Sequence, residues 1–130
     1  MRCLLYVVLL VVITACSTSA PVRALDEAEE MMQSNPSAAL SKLNEVDVSE
    51  FKDSATMARW ALLYSEALAV NRLAAPTDTI VNIAIDYYGR HNFADEFKKA
   101  SRLKTQIKAS YECDALATAL YLQKEKEFLL

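Results

Sequence analysis

The residues able to do chemistry in this chain are one imidazole, His91, three thiols, Cys3, Cys16 and Cys113, and several clusters of acids and bases. A general base needs an orienting partner within hydrogen-bond reach, and His91 stands beside Gly89 and Asn92 in a segment that reads as a surface turn. That placement suits a solvated or capping side chain. Asp26, Glu27, Glu29 and Glu30, or Asp95 with Glu96, could pair as acid and base for glycosidic cleavage. Acids close to a helix start have a simpler electrostatic origin, because the free amides there favour negative charge. Zinc sites need paired histidines or closely spaced cysteines, calcium loops need alternating acids around a glycine, and nucleophile elbows and phosphate loops need several glycines. The chain has one glycine and one histidine. The expectation is no catalytic residue, no metal site and no cofactor.

The thiols must be placed by what surrounds them. Arg2 supplies a positive start, Leu4 to Ile13 an apolar middle, and Thr14 and Ala15 small residues just before Cys16, which is the order of a secretory signal with a thiol at the cut point. The apolar run falls well short of the roughly 20 residues a spanning helix needs. A plain secretory signal, cut near Ala15 or near Ser19 and Ala20, is the competing reading. Ile13-Thr14-Ala15-Cys16 resembles the lipobox of bacterial lipoproteins. That resemblance implies a signal peptide over 1–15, cleavage after Ala15, a diacylglyceryl group on the sulfur of Cys16, and attachment to a membrane through acyl chains. Two or more such chains hold a protein stably to a bilayer. Ser17, with no acid at that position, resembles lipoproteins that pass to the outer membrane of Gram-negative cells and face the periplasm. Cys113 is then alone in an oxidising compartment; the reading preferred is a small buried apolar residue, the other a reactive or dimer-linking thiol.

Past a lipidated N-terminus and short linker over 16–21, residues 22–130 are enough for one small core. The formal net charge is -3, and -4 without Arg2, a mildly acidic balance that argues against nucleic acid as a partner. Lys98, Lys99, Arg102, Lys104 and Lys108 form a basic patch that could meet an anionic partner or form a polar helix face, and it lacks the interleaved aromatics of a nucleic-acid groove.

One glycine, three prolines and an abundance of alanine, leucine, lysine and glutamate suit helices and starve hairpin turns. Periodicity predicts a helix from about Val22 to Gln33 through Leu25, Ala28 and Met32. Asn35 is predicted to cap a second helix with Pro36 at its first position and Ala39, Leu40, Leu43 and Val46 following at helical steps. After a polar link from Asp47 to Lys52, Asp53 or Ser54 caps a long helix ending near Leu73, with Met57, Trp60, Ala61, Leu63, Tyr64, Ala67 and Leu68 apolar. Pro76 enforces a break, Thr77 or Asp78 caps the next helix, and Gly89 offers a left-handed exit. Ile80, Val81, Ile83 and Ile85 could also read as a strand, but no second strand-like segment exists to pair with it. Asn92 is predicted to cap a third pair, with Phe93, Phe97, Ala100, Leu103 and Ile107 on one face and a phase change near Ser110 to Asp114 marking its turn. One continuous helix from Asn92 to near Phe128 is the alternative, since neither glycine nor proline marks that turn.

Ala39 with Leu43, Ala84 with Tyr88, and Ala117 with Tyr121 repeat a small-then-large spacing; the stretch Asn35 to Leu43 resembles the second helix of a tetratricopeptide-like unit, and Asp78 to Tyr88 resembles a segment of bacterial lipoproteins and membrane-anchored regulators with tetratricopeptide-like domains. Thr105, Lys108 and Glu112-Cys113-Asp114 depart from that pattern. The resemblance implies an all-α fold, a short right-handed array of about three antiparallel helical hairpins following the signal helix. It implies a non-catalytic lipoprotein that binds a protein or peptide of the cell envelope. Arg59, Glu66, Lys98, Lys99 and Arg102 are the candidate partner-binding residues, while Trp60 and Tyr64 are expected to pack inward. The rival expectations are a self-associating structural lipoprotein, a homo-oligomer whose apolar last segment covers a neighbouring copy, and a small-ligand carrier or enzyme.

Overall fold

The computed structural model describes residues 19–75 and 77–129. The expected signal peptide, its cleavage at Ala15, the lipidated Cys16 and the break at Pro76 lie outside the described residues. Within them the fold is all-α: α1 (Ala20–Ser34), α2 (Pro36–Glu45), a 3-10 turn (Val48–Glu50), α3 (Ser54–Val70), α4 (Thr79–Arg90) and α5 (Ala94–Phe128).

Asn35 alone separates α1 from α2 and serves both. Its backbone N–H donates to the Met31 carbonyl at 2.8 Å, closing α1, while its side-chain oxygen accepts from the Ala38 N–H at 3.2 Å, opening α2 with Pro36 in the first turn. Asp53 opens α3 in the same way, accepting from the Thr56 N–H at 2.7 Å. The helix ends are equally local. At the close of α3 Arg72 adopts a left-handed φ of 56°, its N–H donates to the Ala69 carbonyl, and the Leu73 N–H reaches the Leu68 carbonyl at 2.9 Å. These are the two bonds of a Schellman motif.

The end of α4 corrects the expectation for Gly89 and Asn92. Asn92, not Gly89, takes the left-handed exit, at φ 60°, and the Phe93 N–H bonds the Tyr88 carbonyl at 3.1 Å. Asn92 therefore terminates α4 and does not cap α5, whose N-cap is Phe93. Asparagine tolerates that conformation better than other side chains. Gly89 is an interior helical residue, and a Cβ there would lie 3.2 Å from Cε2 of Phe97. The obstacle is the edge of a ring that is 39% exposed and free to turn outward. Gly89→Ala is expected to stabilise the fold by about 0.5 kcal/mol, since helix propensity favours alanine by up to ~1 kcal/mol and a small ring displacement takes back part of it. Urea unfolding of the two proteins checks the sign.

Contacts between helices give their directions. Gly89 lies beside Phe97 and Asn82 beside Lys104, so α4 and α5 run antiparallel; Glu66 pairs with Lys99 and Ala75 with Tyr111, so α3 and α5 run the same way. Each helix packs on the next in sequence, and α3 also packs on α1 and α5. This central position explains why α3 is apolar around much of its circumference, burying Ala58, Ala61, Leu62, Leu63, Ser65, Ala67 and Leu68. One core cluster joins Ala58, Ala61 and Leu62 of α3 to Val81, Ala84 and Tyr88 of α4 and to Ala100 and Leu103 of α5. The other joins Leu63 and Ala67 of α3 to Leu25, Ala28 and Met32 of α1 and to Ala39 and Leu43 of α2. Trp60 packs against both clusters. Buried Ser65 returns its hydroxyl to the Ala61 carbonyl at 2.8 Å, so it leaves no orphaned donor.

The third expected hairpin is absent. α5 is one helix of 35 residues, with no turn between Ser110 and Asp114. Nothing between Ala94 and Phe128 is a glycine or proline, and the strong helix formers there give the chain no reason to stop. Among the described residues of α5 only Ala100 and Leu103 are buried, and every residue from Lys108 to Glu127 is exposed. The expected pair Ala117 and Tyr121 is therefore uncovered, with Tyr121 63% exposed. Cys113, expected to be buried, is a free exposed thiol for the same reason.

Candidate interaction surface

The five residues singled out from sequence separate into two groups. Arg59 is engaged within the fold: its Nη2 lies 2.7 Å from Asp26 Oδ1 and 2.5 Å from Glu29 Oε2, bridging α3 to α1. Partial burial opposes its charge, but the hydrogen bonds and proximity of Glu29 and Asp26 prevail and raise its pKa further above the ordinary guanidinium value. Glu66 and Lys99 are paired with each other at 2.7 Å, bridging α3 to α5. Lys98 and Arg102 are exposed on α5 and form no ion pair among the described residues. Lys104, the next base along, is held against α4 by Asn82 at 2.8 Å and Asp78 at 3.7 Å. Lys42 and Glu27 tie α2 to α1. Half-exposed pairs of this kind are each worth no more than about 1 kcal/mol and act chiefly to align helices.

Concave surface occurs elsewhere. A cleft of about 590 Å³ lies between the segment Phe51–Ser54 with Met57 on one side and Ile83, Asp86, Tyr87, Arg90 and His91 of the α4 end on the other. Local sequence builds each wall. Asp47 caps the 3-10 turn by accepting from the Ser49 N–H at 2.9 Å, and this turn delivers Phe51, whose ring packs 6.4 Å from Trp60 in a tilted arrangement. Trp60 in turn stacks on Tyr64 at 5.1 Å and donates its indole N–H to the Leu43 carbonyl at 3.2 Å. On the far wall His91 stacks on Tyr87 at 4.2 Å between centroids, with Nδ1 2.8 Å from the Tyr87 carbonyl oxygen. His91 is thus exposed and held by its own helix end, in the capping role its neighbours in sequence implied. A second recess of about 530 Å³ shares Phe51, Lys52 and Asp53 with the cleft and is bounded by Pro21, Val22 and Thr56.

The electrostatics of the cleft are mixed. Lys52 and Arg90 supply positive charge, Asp53 and Asp86 negative. The backbone N–H of Thr56, then its hydroxyl at 3.0 Å, hold the Asp53 carboxyl below the usual carboxylate range. Asp47 is lowered likewise by the hydroxyl and N–H of Ser49. A carboxylate with a depressed folded-state pKa contributes stability that is full above its unfolded pKa and fades as pH falls through the folded value. Asp53→Asn is expected to match the wild type near neutrality, because asparagine caps about as well, and to lose less stability than the wild type below about pH 4. Melting temperature measured across that range reads the difference.

Phe51 was not foreseen: the stretch from Asp47 to Lys52 reads as a polar link, and a lone aromatic in it carries no periodicity. The available signal was Asp47 two residues before Ser49, a local cap that announces an ordered turn. Among the described residues no three acids, histidines or cysteines stand together as a metal-ligand group, and no helix is long and apolar enough to cross a membrane. No protein-family model, curated protein or solved structure matches the chain.

Proposed function

We propose that this chain is a lipid-anchored, non-catalytic helical module of the bacterial cell envelope that holds a peptide segment of another protein in the cleft between Phe51 and Tyr87. The observation that carries the reading is the cleft itself, where apolar Phe51, Met57, Ile83 and Tyr87 are rimmed by Lys52, Asp53, Asp86 and Arg90. Apolar contacts supply affinity for such a segment, and charges of both signs at the rim set its register and exclude wrong partners. A tetratricopeptide-like arrangement is supported by the alternating directions of α3, α4 and α5 and by the packing of α3 on both α1 and α5. Helical arrays of this kind present their partners with residues from several helices at once.

The lipobox-like Ile13-Thr14-Ala15-Cys16 supports the tether and the envelope address, with the outer membrane facing the periplasm favoured by Ser17. α1 opens only four residues beyond Cys16, so an acylated sulfur would keep that helix start within roughly 14 Å of the bilayer surface. The recess beside Pro21 and Val22, which shares Phe51 with the cleft, then lies at the tethered end. The partner is met close to the membrane.

A photo-crosslinking amino acid at Met57, in the chain expressed in its own envelope, tests the binding. A discrete adduct that disappears when Tyr87→Asp is added supports the cleft as the site. No adduct, or one indifferent to Tyr87, overturns it. Intact-mass measurement of the mature protein tests the tether: an unmodified Cys16 thiol, or cleavage elsewhere, removes it.

A further inference from the structure

Beyond Tyr111, whose hydroxyl donates to the Ala75 carbonyl, residues 112–127 of α5 are all exposed and carry the helix past the body. On this overhang Leu116 and Leu120 are 62% and 59% exposed, and with Ala109 and Cys113 they recur at alternating spacings of four and three residues. That is the spacing of a coiled-coil seam. The seam is turned roughly a third of a revolution from the face that carries Ala100, Leu103 and Ile107 into the body. Continuing the body-facing stripe past Tyr111 brings Asp114, Thr118, Tyr121 and Glu125, so polar residues interrupt that stripe, whereas Leu116 and Leu120 stand one turn apart on the seam.

We infer that this overhang pairs with the same segment of a second copy, antiparallel, about a centre at Thr118. Charge chooses both the partner and the direction. In that register Leu116 of each copy meets Leu120 of the other, Cys113 meets Gln123, and Glu112 flanks the seam opposite Lys126, twice by symmetry. Ala117 and Ala119 each face their own counterparts beside the leucine layers, and their small side chains let the two helices approach. A parallel pairing in register sets Glu112 against Ala117 and Lys124 against Ala119, and gains no opposite charges. Two leucine layers make a weak contact, which a common membrane surface would reinforce by raising effective concentration. This pairing is independent of the cleft: it uses no residue there and stands or falls separately.

The full chain, solubilised in detergent and carrying Gln123→Cys, tests the geometry under mild oxidation. Expected is a disulfide between Cys113 of one copy and the new thiol of another, identified by mass spectrometry of the linked peptides. Ten residues separate these positions on one helix, roughly 15 Å, too far for a link within a single chain. Leu120→Asp, at a position remote from both cores, is expected to leave the melting temperature unchanged and to weaken association at least ~30-fold by sedimentation. Lys126→Glu is expected to weaken it about tenfold, and adding Glu112→Lys to restore it. A chain that sediments as a monomer up to about 1 mM overturns the pairing. So does a link between two Cys113 thiols, which marks a parallel arrangement, or a Leu120→Asp effect confined to binding of lipid vesicles or to contacts with residues 1–18.

Discussion

Trp60→Ala is expected to lose about 3–5 kcal/mol of folding stability, the range for deleting a large aromatic from a packed site. A domain of this size has a total of about 5–15 kcal/mol, so the variant should be partly unfolded at room temperature in dilute urea. The size of the effect comes from position. Trp60 is only half-buried, yet it packs against both core clusters, stacks on Tyr64 and backs the ring of Phe51. Its removal uncouples the α1–α2 half from the α4–α5 half and loosens one wall of the cleft. Trp60→Phe keeps a ring there and forfeits the indole hydrogen bond to the Leu43 carbonyl, for an expected loss nearer 1 kcal/mol from the bond, plus the smaller ring's lost contacts. The chain has a single tryptophan, so unfolding must be followed by far-ultraviolet circular dichroism. A loss below about 1 kcal/mol for the alanine variant would show that the two clusters do not depend on this side chain.

Leu43→Ala should cost about 2–5 kcal/mol. Leu43 has no exposed surface, and it fills the space between Leu25 and Ala28 on α1 and Leu63 and Ala67 on α3. Three of its cluster neighbours, Ala28, Ala39 and Ala67, are too short to reach into the vacated volume, so the upper half of the range is expected. Leu43→Met conserves volume and should stay within about 1.5 kcal/mol of the wild type. The damage should be uneven. Hydrogen exchange is expected to accelerate first in α1 and α2, while α4 and the first half of α5, which rest on the other cluster, keep more of their protection.

Much of this architecture is legible along the chain because its causes are local. The cap at Asn35 with Pro36 behind it, the cap at Asp53, and the spacing of Leu25, Ala28 and Met32 or of Ala84 and Tyr88 each involve residues within a turn or two of one another. The inward packing of Ala39 and Leu43 follows from the same periodicity. Gly89 and Asn92 both suit a left-handed exit, and they stand three residues apart; the helix runs on to the second of them, where the Phe93 N–H closes on the Tyr88 carbonyl. Phe51 was missed because what orders it is Trp60, reached through the fold.

Read along the chain, propensity, capping and period fix that it is helical, where α2, α3 and α4 begin, and the inward residues Leu25, Ala28, Met32, Ala39 and Leu43 of α1 and α2, because these act over a few residues. On α3 and α4 the buried Ala58, Leu62, Ser65 and Val81 lie off the expected stripe, since helices on both sides cover them. Tertiary structure decided which charges are free. Arg59, Glu66 and Lys99 find their partners on other helices, and sequence distance says nothing of that. It also decided the fate of α5. An apolar stripe through Cys113, Leu116 and Leu120 looks the same in sequence whether a neighbouring helix covers it or not, and burial requires a second surface that only the assembled fold supplies or withholds.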